Sequence, residues 1–280
     1  MGRTDCIYDL VSALRLQRDG RYHADMYQRI LEVCGDADAL AVTAAGLLIR
    51  AARDAVRERG RFTLVLAGGS TPERAYSLLA GPERSGAIDW SRVFFFFGDE
   101  RFVPPGDPAS NYGLAQRSLL SRVPLASTQV FPIPTAEPSA ADAADAYSRD
   151  LSRFFEQAPD SRPLPRFDLV LLGLGEDGHT ASLFPGKPAV GVDDRWATWS
   201  PPGVLPPAVD RVTMTFPLLN AARHVVFLVA GENKANVLKE VLEEHPGRER
   251  YPAAGIAPVE GSLTWLVDAR AACRLSPRHD

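Results

Sequence analysis

The sequence predicts an α/β protein with a mostly parallel sheet and helices on both faces, and three observations carry that prediction. Short apolar runs of strand length alternate with helical patterns along the 280 residues. The run Val93–Phe97 is apolar throughout and Phe167–Leu172 is apolar but for Asp168, neither showing alternation, as in strands buried on both faces. The second run then breaks into Gly173, Gly175 and Gly178, with Glu176, Asp177 and His179 among them. In open α/β sheets ligands bind outside the carboxyl ends of the strands, so such a turn is where catalytic groups are presented.

The elements follow in order. Leu40, Ala44, Leu47, Leu48 and Ala51 recur at helical spacing within Ala37–Glu58, followed by basic residues and a stop at Gly60. Phe62–Leu66 is a short apolar strand. Gly68-Gly-Ser-Thr-Pro-Glu73 is a turn whose Pro72 suits the first turn of a helix running through Leu79. After the strand Val93–Phe97, Gly98–Asn111 reads as a loop rich in charge and proline, and Tyr112–Leu120 as a helix. A proline-rich stretch, Phe131–Pro138, gives way to an alanine-rich helix at Ala140–Phe155. Gln157–Arg166 is a linker before the strand Phe167–Leu172. Arg211–Thr215 and Val225–Val229 are strands, Ala235–Leu242 a helix and Ser262–Val267 a last strand. No internal repeat is evident. The proline-rich stretches, including Pro201–Pro207, are short enough to be surface loops within one domain.

Composition bounds the function. Hydrophobic residues at 45% and charged residues at 24% are ordinary for a soluble globular protein. A net charge of −4 argues against general nucleic-acid binding but leaves room for a basic pocket. Cys6, Cys34 and Cys273 are few and far apart, which suits inert thiols in a reducing cytoplasm and gives no metal spacing. No apolar run approaches the about 18 residues that cross a bilayer, and residues 1–20 have no signal-peptide core.

Four strand-end loops carry chemistry. In Ala67-Gly-Gly-Ser-Thr71, Gly68 and Gly69 allow close backbone approach, Ser70 and Thr71 add hydroxyls, and a helix N-terminus follows, which together suit a phosphate. The loop is neither a Walker A loop nor a dinucleotide fingerprint, and its plainer alternative is a tight turn capped by Ser70 or Thr71. In Gly98-Asp-Glu-Arg101, Arg101 can hold a phosphate or carboxylate through two hydrogen bonds, and Asp99 can act as a base or orient a sugar hydroxyl. The alternative there is an internal ion pair or a solvated cluster. Asn111, in Ser110-Asn-Tyr112, is a helix cap or a polar contact at the same mouth. In the third loop Asp177 stands two residues from His179. A carboxylate accepting from one imidazole nitrogen fixes the tautomer and makes the other nitrogen a better base. Ser182 lies in no nucleophile elbow, and no third ligand accompanies Asp177 and His179 for zinc. In Gly231-Glu-Asn-Lys-Ala235, Lys234 opens a helix at a strand end, where it reaches an anion or is a surface lysine. His23, His224, His245 and His279 lack comparable surroundings and read as surface or structural.

These motifs, together with Arg211-Val-Thr-Met-Thr215 and the run Gly173 to Pro185, occur in an order that resembles the 6-phosphogluconolactonases. That family lies in the superfamily shared with glucosamine-6-phosphate deaminase/isomerase. The resemblance spans about Ala37 to Leu275, so residues 36–280 are expected to form one Rossmann-like, three-layer domain and residues 1–35 an N-terminal extension. It implies hydrolysis of 6-phospho-D-glucono-1,5-lactone to 6-phospho-D-gluconate, a step of the oxidative pentose phosphate pathway, without metal or organic cofactor, by a cytoplasmic monomer or homodimer. By motif, His179 is the general base that activates water, and Asp177 orients it. Gly68, Gly69, Ser70 and Thr71 cradle the phosphate. Arg101 and Lys234 supply positive charge to phosphate or oxyanion, and Asp99 binds substrate hydroxyls. The deaminase/isomerase branch resembles Asp-Gly-His-Ile-Ala-Phe-Asn-Glu-Pro, with a ring-opening glutamate five residues after the histidine. Here that place is Phe184, which favours the lactonase. A sugar-phosphate sensor on the same fold would need a DNA-binding module, and residues 1–35 carry no helix-turn-helix pattern.

Overall fold

The computed structural model describes residues 28–158, 163–203 and 207–277, together with the backbone of three short strands ahead of them. Those three are β1 (Cys6–Asp9), β2 (Arg15–Leu16) and β3 (Tyr22–His23). The remaining strands are β4 (Gln28–Cys34), β5 (Phe62–Leu66), β6 (Val93–Phe97), β7 (Asp99–Arg101), β8 (Val130–Phe131), β9 (Leu169–Leu172), β10 (Ala197–Ser200), β11 (Arg211–Met214), β12 (His224–Val229) and β13 (Ser262–Asp268). The helices are α1 (Ala37–Arg59), α2 (Ser70–Leu79), α3 (Asn111–Ser118), α4 (Ala140–Phe155), α5 (Phe216–Asn220) and α6 (Ala235–Lys239).

The main sheet runs β1-β4-β13-β12-β9-β5-β6-β8 and is parallel except where β1 pairs antiparallel with β4. β4 lies inside the segment set apart as an extension, yet it pairs with β13 from Gln28 to Cys34. A separate antiparallel sheet, β10-β11-β7, sits over the carboxyl end of β6. Crossovers between parallel strands are right-handed, so their direction decides the face each helix covers. From β5 the chain steps through β6 to β8, which places α2 and α3 on one face beside α1. From β9 it steps the other way, through β12 to β13, which places α6 on the opposite face. The reversal falls between β5 and β9. Their carboxyl ends therefore splay apart and leave a crevice.

Local chemistry places the ends of these elements. Asp36 caps α1 by accepting from Ala39 N–H, and Gly60 ends it in the left-handed conformation. Ser139 caps α4 in the same way. The strands β5, β9 and β12 bury nearly every side chain, which is why they carry no polar alternation. On β6, the Phe96 ring packs against Phe131, Phe154 and Phe167 at about 5 Å between centroids. Two buried tyrosines finish the strands that lead to the crevice. The Tyr76 hydroxyl donates to Ala67 C=O (2.9 Å) and accepts from Ala67 N–H (3.0 Å). The Tyr147 hydroxyl does the same for Phe97, at 3.0 and 2.9 Å. Each satisfies a backbone pair where the strand leaves the ladder and would otherwise strand it. At the opposite end of the sheet, buried Asp168 accepts from Thr63 N–H, Thr63 Oγ1 and Arg59 Nε, which ties β9 to β5 and α1.

The sequence-based boundaries hold for α4, β5, β6 and the end of α2, fall one residue short for α1, and shift elsewhere. Gly98–Asn111 is not all loop, because Asp99–Arg101 forms β7 against β11. The helix expected at Tyr112–Leu120 is α3, which starts at Asn111 and ends at Ser118. Lys234 closes a single 3₁₀ turn, and α6 begins after it.

Candidate active site

The crevice between β5 and β9 holds a cleft of about 210 Å³. Gly68, Gly69, Asp99, Arg101, Asn111, His179, Arg211 and Lys234 line it. Six of these were singled out from the sequence for ligand binding and one for catalysis.

His179 stands on the turn after β9. Its Nδ1 is 2.5 Å from Asp177 Oδ1, which also accepts from His179 N–H at 3.2 Å. A carboxylate can only accept, so Nδ1 carries a proton, and in the neutral imidazole Nε2 keeps its lone pair. Burial pushes the Asp177 carboxyl up, but its hydrogen bond to His179 and the imidazole charge outweigh this and hold it below the ordinary carboxylate range. Gly175 makes the arrangement possible: a Cβ there would overlap the imidazole and stand 2.6 Å from Asp177 Oδ1. The turn closes through Gly175 N–H to His179 C=O (2.8 Å) and Thr180 Oγ1 to Gly173 C=O (2.9 Å). The other flank of the imidazole rests on Phe184, with ring centroids 4.7 Å apart. Asp177 and Phe184 thus fix the ring between a charge and an aromatic face.

Three cations meet in the cleft. Arg101 Nη1 donates to Ala109 C=O (3.1 Å) and to Asn111 Oδ1, while its buried Nε has no partner among the described residues. Arg211 stands directly opposite Arg101 in the β11–β7 register. Among the described residues it donates only to the carbonyls of Val209 and Pro207, and its guanidinium lies 5.9 Å from the Phe184 centroid. Burial pulls the Arg211 guanidinium below its ordinary range, nearby Asp99 resists, and the Arg101 charge adds to the fall. Lys234 reaches in from the turn after β12. Burial lowers its ammonium, against the opposing charges of Glu176 and Asp177. Among the described residues neither arginine is neutralised by a carboxylate hydrogen bond, so the cleft is built for an anion.

Asp99 is the carboxylate within this ring. It accepts from Ser182 Oγ (2.6 Å) and from Asn111 Nδ2 (3.3 Å). Glu100 points away from the cleft. It accepts from the N–H groups of Arg101, Asn111 and Tyr112 and from Ser110 Oγ, and so holds the start of α3. Burial pushes its carboxyl up, opposed by those backbone donors.

Ser70 and Thr71 do not line this cleft. They open onto a neighbouring cavity of about 450 Å³ shared with Arg74, Gly231 and Asp268. The turn brings only Gly68 and Gly69 to the cleft itself. Arg211 was missed as a site residue, since only its register against β7, some 110 positions earlier, brings it there. No cluster of three or more metal-ligating side chains occurs among the described residues, and no helix there is long and apolar enough to cross a membrane. Cys34 is buried and Cys273 exposed. Cys6 and His279 lie outside the residues whose side chains are described. Burial draws His224 down to about 4, so it sits neutral beside Thr264 Oγ1 (2.9 Å), a structural group.

Known proteins place this geometry in a family. A family model described as glucosamine-6-phosphate isomerases/6-phosphogluconolactonase matches residues 35–265. The chain belongs to that family. Within it, the 6-phosphogluconolactonase of Nostoc sp. is 38% identical over 249 residues, covering 89% of this chain and 99% of its own. The 6-phosphogluconolactonase of Rattus norvegicus is 42% identical over 229 residues, covering 81% and 86%. Among solved structures, the 6-phosphogluconolactonase from Trypanosoma cruzi superposes with a TM-score of 0.76 at 30% identity, over 88% of this chain and 97% of that one. A monomeric glucosamine-6-phosphate deaminase superposes at 0.72 but with 19% identity, a likeness of fold alone.

Proposed function

We propose that the chain hydrolyses 6-phospho-D-glucono-1,5-lactone to 6-phospho-D-gluconate, the lactone step of the oxidative pentose phosphate pathway. The observation that carries this is the His179 imidazole. It is held by Asp177 on one nitrogen and by Phe184 on its face, and it opens onto a cleft with three cations. The isomerase branch would need a carboxylate where Phe184 stands. The Nostoc and Rattus relatives, at 38% and 42% identity, are 6-phosphogluconolactonases by name.

The geometry supports a two-step path. His179 Nε2 takes a proton from water, and the resulting hydroxide attacks the C1 carbonyl. The tetrahedral oxyanion is stabilised by a cation of the cleft. Collapse breaks the C1–O5 bond, and the imidazolium returns its proton to O5, which leaves as a hydroxyl. Asp177, held ionised, stabilises the imidazolium between the two transfers. The guanidiniums of Arg101 and Arg211, with Lys234, divide the phosphate and the oxyanion between them. Gly69, whose Cβ position is open, admits the phosphate to the backbone beside Gly68, with Ser70 and Thr71 at the edge of the same turn. Asp99 accepts from substrate hydroxyls. A phosphate fixed at one end presents C1 in one orientation, which removes the orientational cost of attack. The enzyme works as a monomer or homodimer in the cytoplasm.

Acid release from freshly generated lactone tests the assignment, measured above the spontaneous rate. Catalysis should appear, and His179→Ala should abolish most of kcat while 6-phosphogluconate binds within about threefold of the original affinity. Tight binding without catalysis would mean a sensor. Release of ammonia from glucosamine 6-phosphate would mean an isomerase.

A further inference from the structure

Asp99 and Arg101 are two residues apart on β7, so they share one face of that strand. Both line the cleft. A carboxylate and a guanidinium so placed would ordinarily collapse into an ion pair, and each would then be spent on the other. Among the described residues they make no such pair. Between them sits the carboxamide of Asn111, only 3% exposed. Its Oδ1 accepts from Arg101 Nη1, and its Nδ2 donates to Asp99 C=O (2.9 Å) and Asp99 Oδ1 (3.3 Å). The two ends of the amide match their partners, since a guanidinium only donates and a carboxylate only accepts. Space for the amide comes from Gly68, where any Cβ would overlap Asn111 Oδ1. Ser182 Oγ holds the second oxygen of Asp99 (2.6 Å), so the carboxylate cannot swing toward the guanidinium.

We infer that Asn111 is a positioning residue: a neutral bridge that keeps Asp99 and Arg101 apart and leaves both charges available to the substrate. This rests on the cleft binding an anionic sugar, as proposed above. The buried Arg101 Nε without a partner is what the bridge preserves, a donor held in place and unspent. A side chain that merely capped α3 would do none of this. That capping falls to Ser110, which accepts from Gly113 N–H.

The substitution Asn111→Asp separates the two roles, because it keeps the shape and changes the charge. The new carboxylate pairs with Arg101 and faces Asp99 at the distance of the present hydrogen bond. Two carboxylates that close share a proton, so one of them titrates well above the ordinary range. At pH 8 the variant should bind 6-phosphogluconate at least tenfold more weakly than the original chain, by calorimetry. At pH 5.5 the shared proton restores a donor between the two groups, and the ratio should shrink below threefold. Taking the ratio at each pH removes the titration of the ligand's own phosphate. A ratio that does not change with pH, or an affinity equal to the original at pH 8, overturns the inference. If Asn111→Asp fails to fold, Asn111→Ala decides. It should lose affinity tenfold as Arg101 falls onto Asp99, and a crystal structure of that variant should show the two side chains paired within 4 Å. A structure in which they stay apart, or an affinity equal to the original, overturns the bridge. Binding is read without turnover, so a chain that binds but does not hydrolyse lactone would refute the proposed reaction and leave this test intact.

Discussion

Gly175→Ala is the sharpest probe of the proposed base. Gly175 carries a backbone conformation open to any residue, so alanine there introduces no strain of its own. The cost comes from approach alone. The added methyl would stand 2.6 Å from Asp177 Oδ1 and overlap Nδ1 and Cε1 of His179, whereas ordinary contact begins near 3.4 Å. The imidazole must therefore retreat by more than 1 Å, or the turn must open. Misplacing a reacting group by about 1 Å can cost about 100-fold in rate. Overpacking of this kind costs about 1–3 kcal/mol, which for a domain of this size lowers Tm by roughly 2–12 °C. The phosphate end of the cleft is built from other loops, so KM should stay within about threefold. Gly173→Ala provides the contrast in stability: a Cβ there meets nothing within 4 Å, and Tm should be kept. The assay is acid release at saturating lactone, with melting followed in parallel. A Gly175→Ala variant with kcat within about threefold of the original would refute the placement of His179 and Asp177 as the reacting pair.

The remaining predictions concern charge. Asp177 is held below the ordinary carboxylate range, so its contribution to stability is present above about pH 4 and is lost as pH falls through its lowered value. Melting curves from pH 6 to 3 should therefore show the original chain losing its advantage over Asp177→Asn at the acid end. Arg211→Ala should raise KM at least tenfold, since it removes one of two guanidiniums left unspent by carboxylates; steady-state kinetics read this directly. Glu176→Gln removes a charge that supports the Lys234 ammonium, so that group should titrate lower and 6-phosphogluconate affinity should begin to fall at a less alkaline pH. Calorimetry between pH 7 and 10 checks it.

Much of the fold was legible in the sequence, because buried parallel strands and capped helices write themselves locally. Phe62–Leu66 and Ala140–Phe155 were read to the residue. β7, β8 and β10 were not, since runs of two to four residues are too short to carry a period. They become strands only because a distant partner offers its ladder. β4 was passed over for the same reason, its partner β13 lying over 200 positions downstream. In the site, His179 and Asp177 could be paired from spacing, as two residues on a glycine turn meet whatever the rest of the chain does. Asp99 and Arg101 were given ligand roles and Glu100 none, but the reason lay outside the sequence. Only the strand's facing sends Glu100 to α3 and the other two to the cleft.

The sequence by itself determined which loops end strands and what chemistry each holds, because strand length, glycine and side-chain type are local properties. The tertiary structure decided which of those loops meet. The reversal between β5 and β9 opens the cleft, and the β7–β11 register sets Arg211 beside Arg101. It also moved Ser70 and Thr71 to the neighbouring cavity. Charge acts through distance and burial. Whether an arginine is spent on a carboxylate or kept for a ligand is thus settled only once the strands have paired.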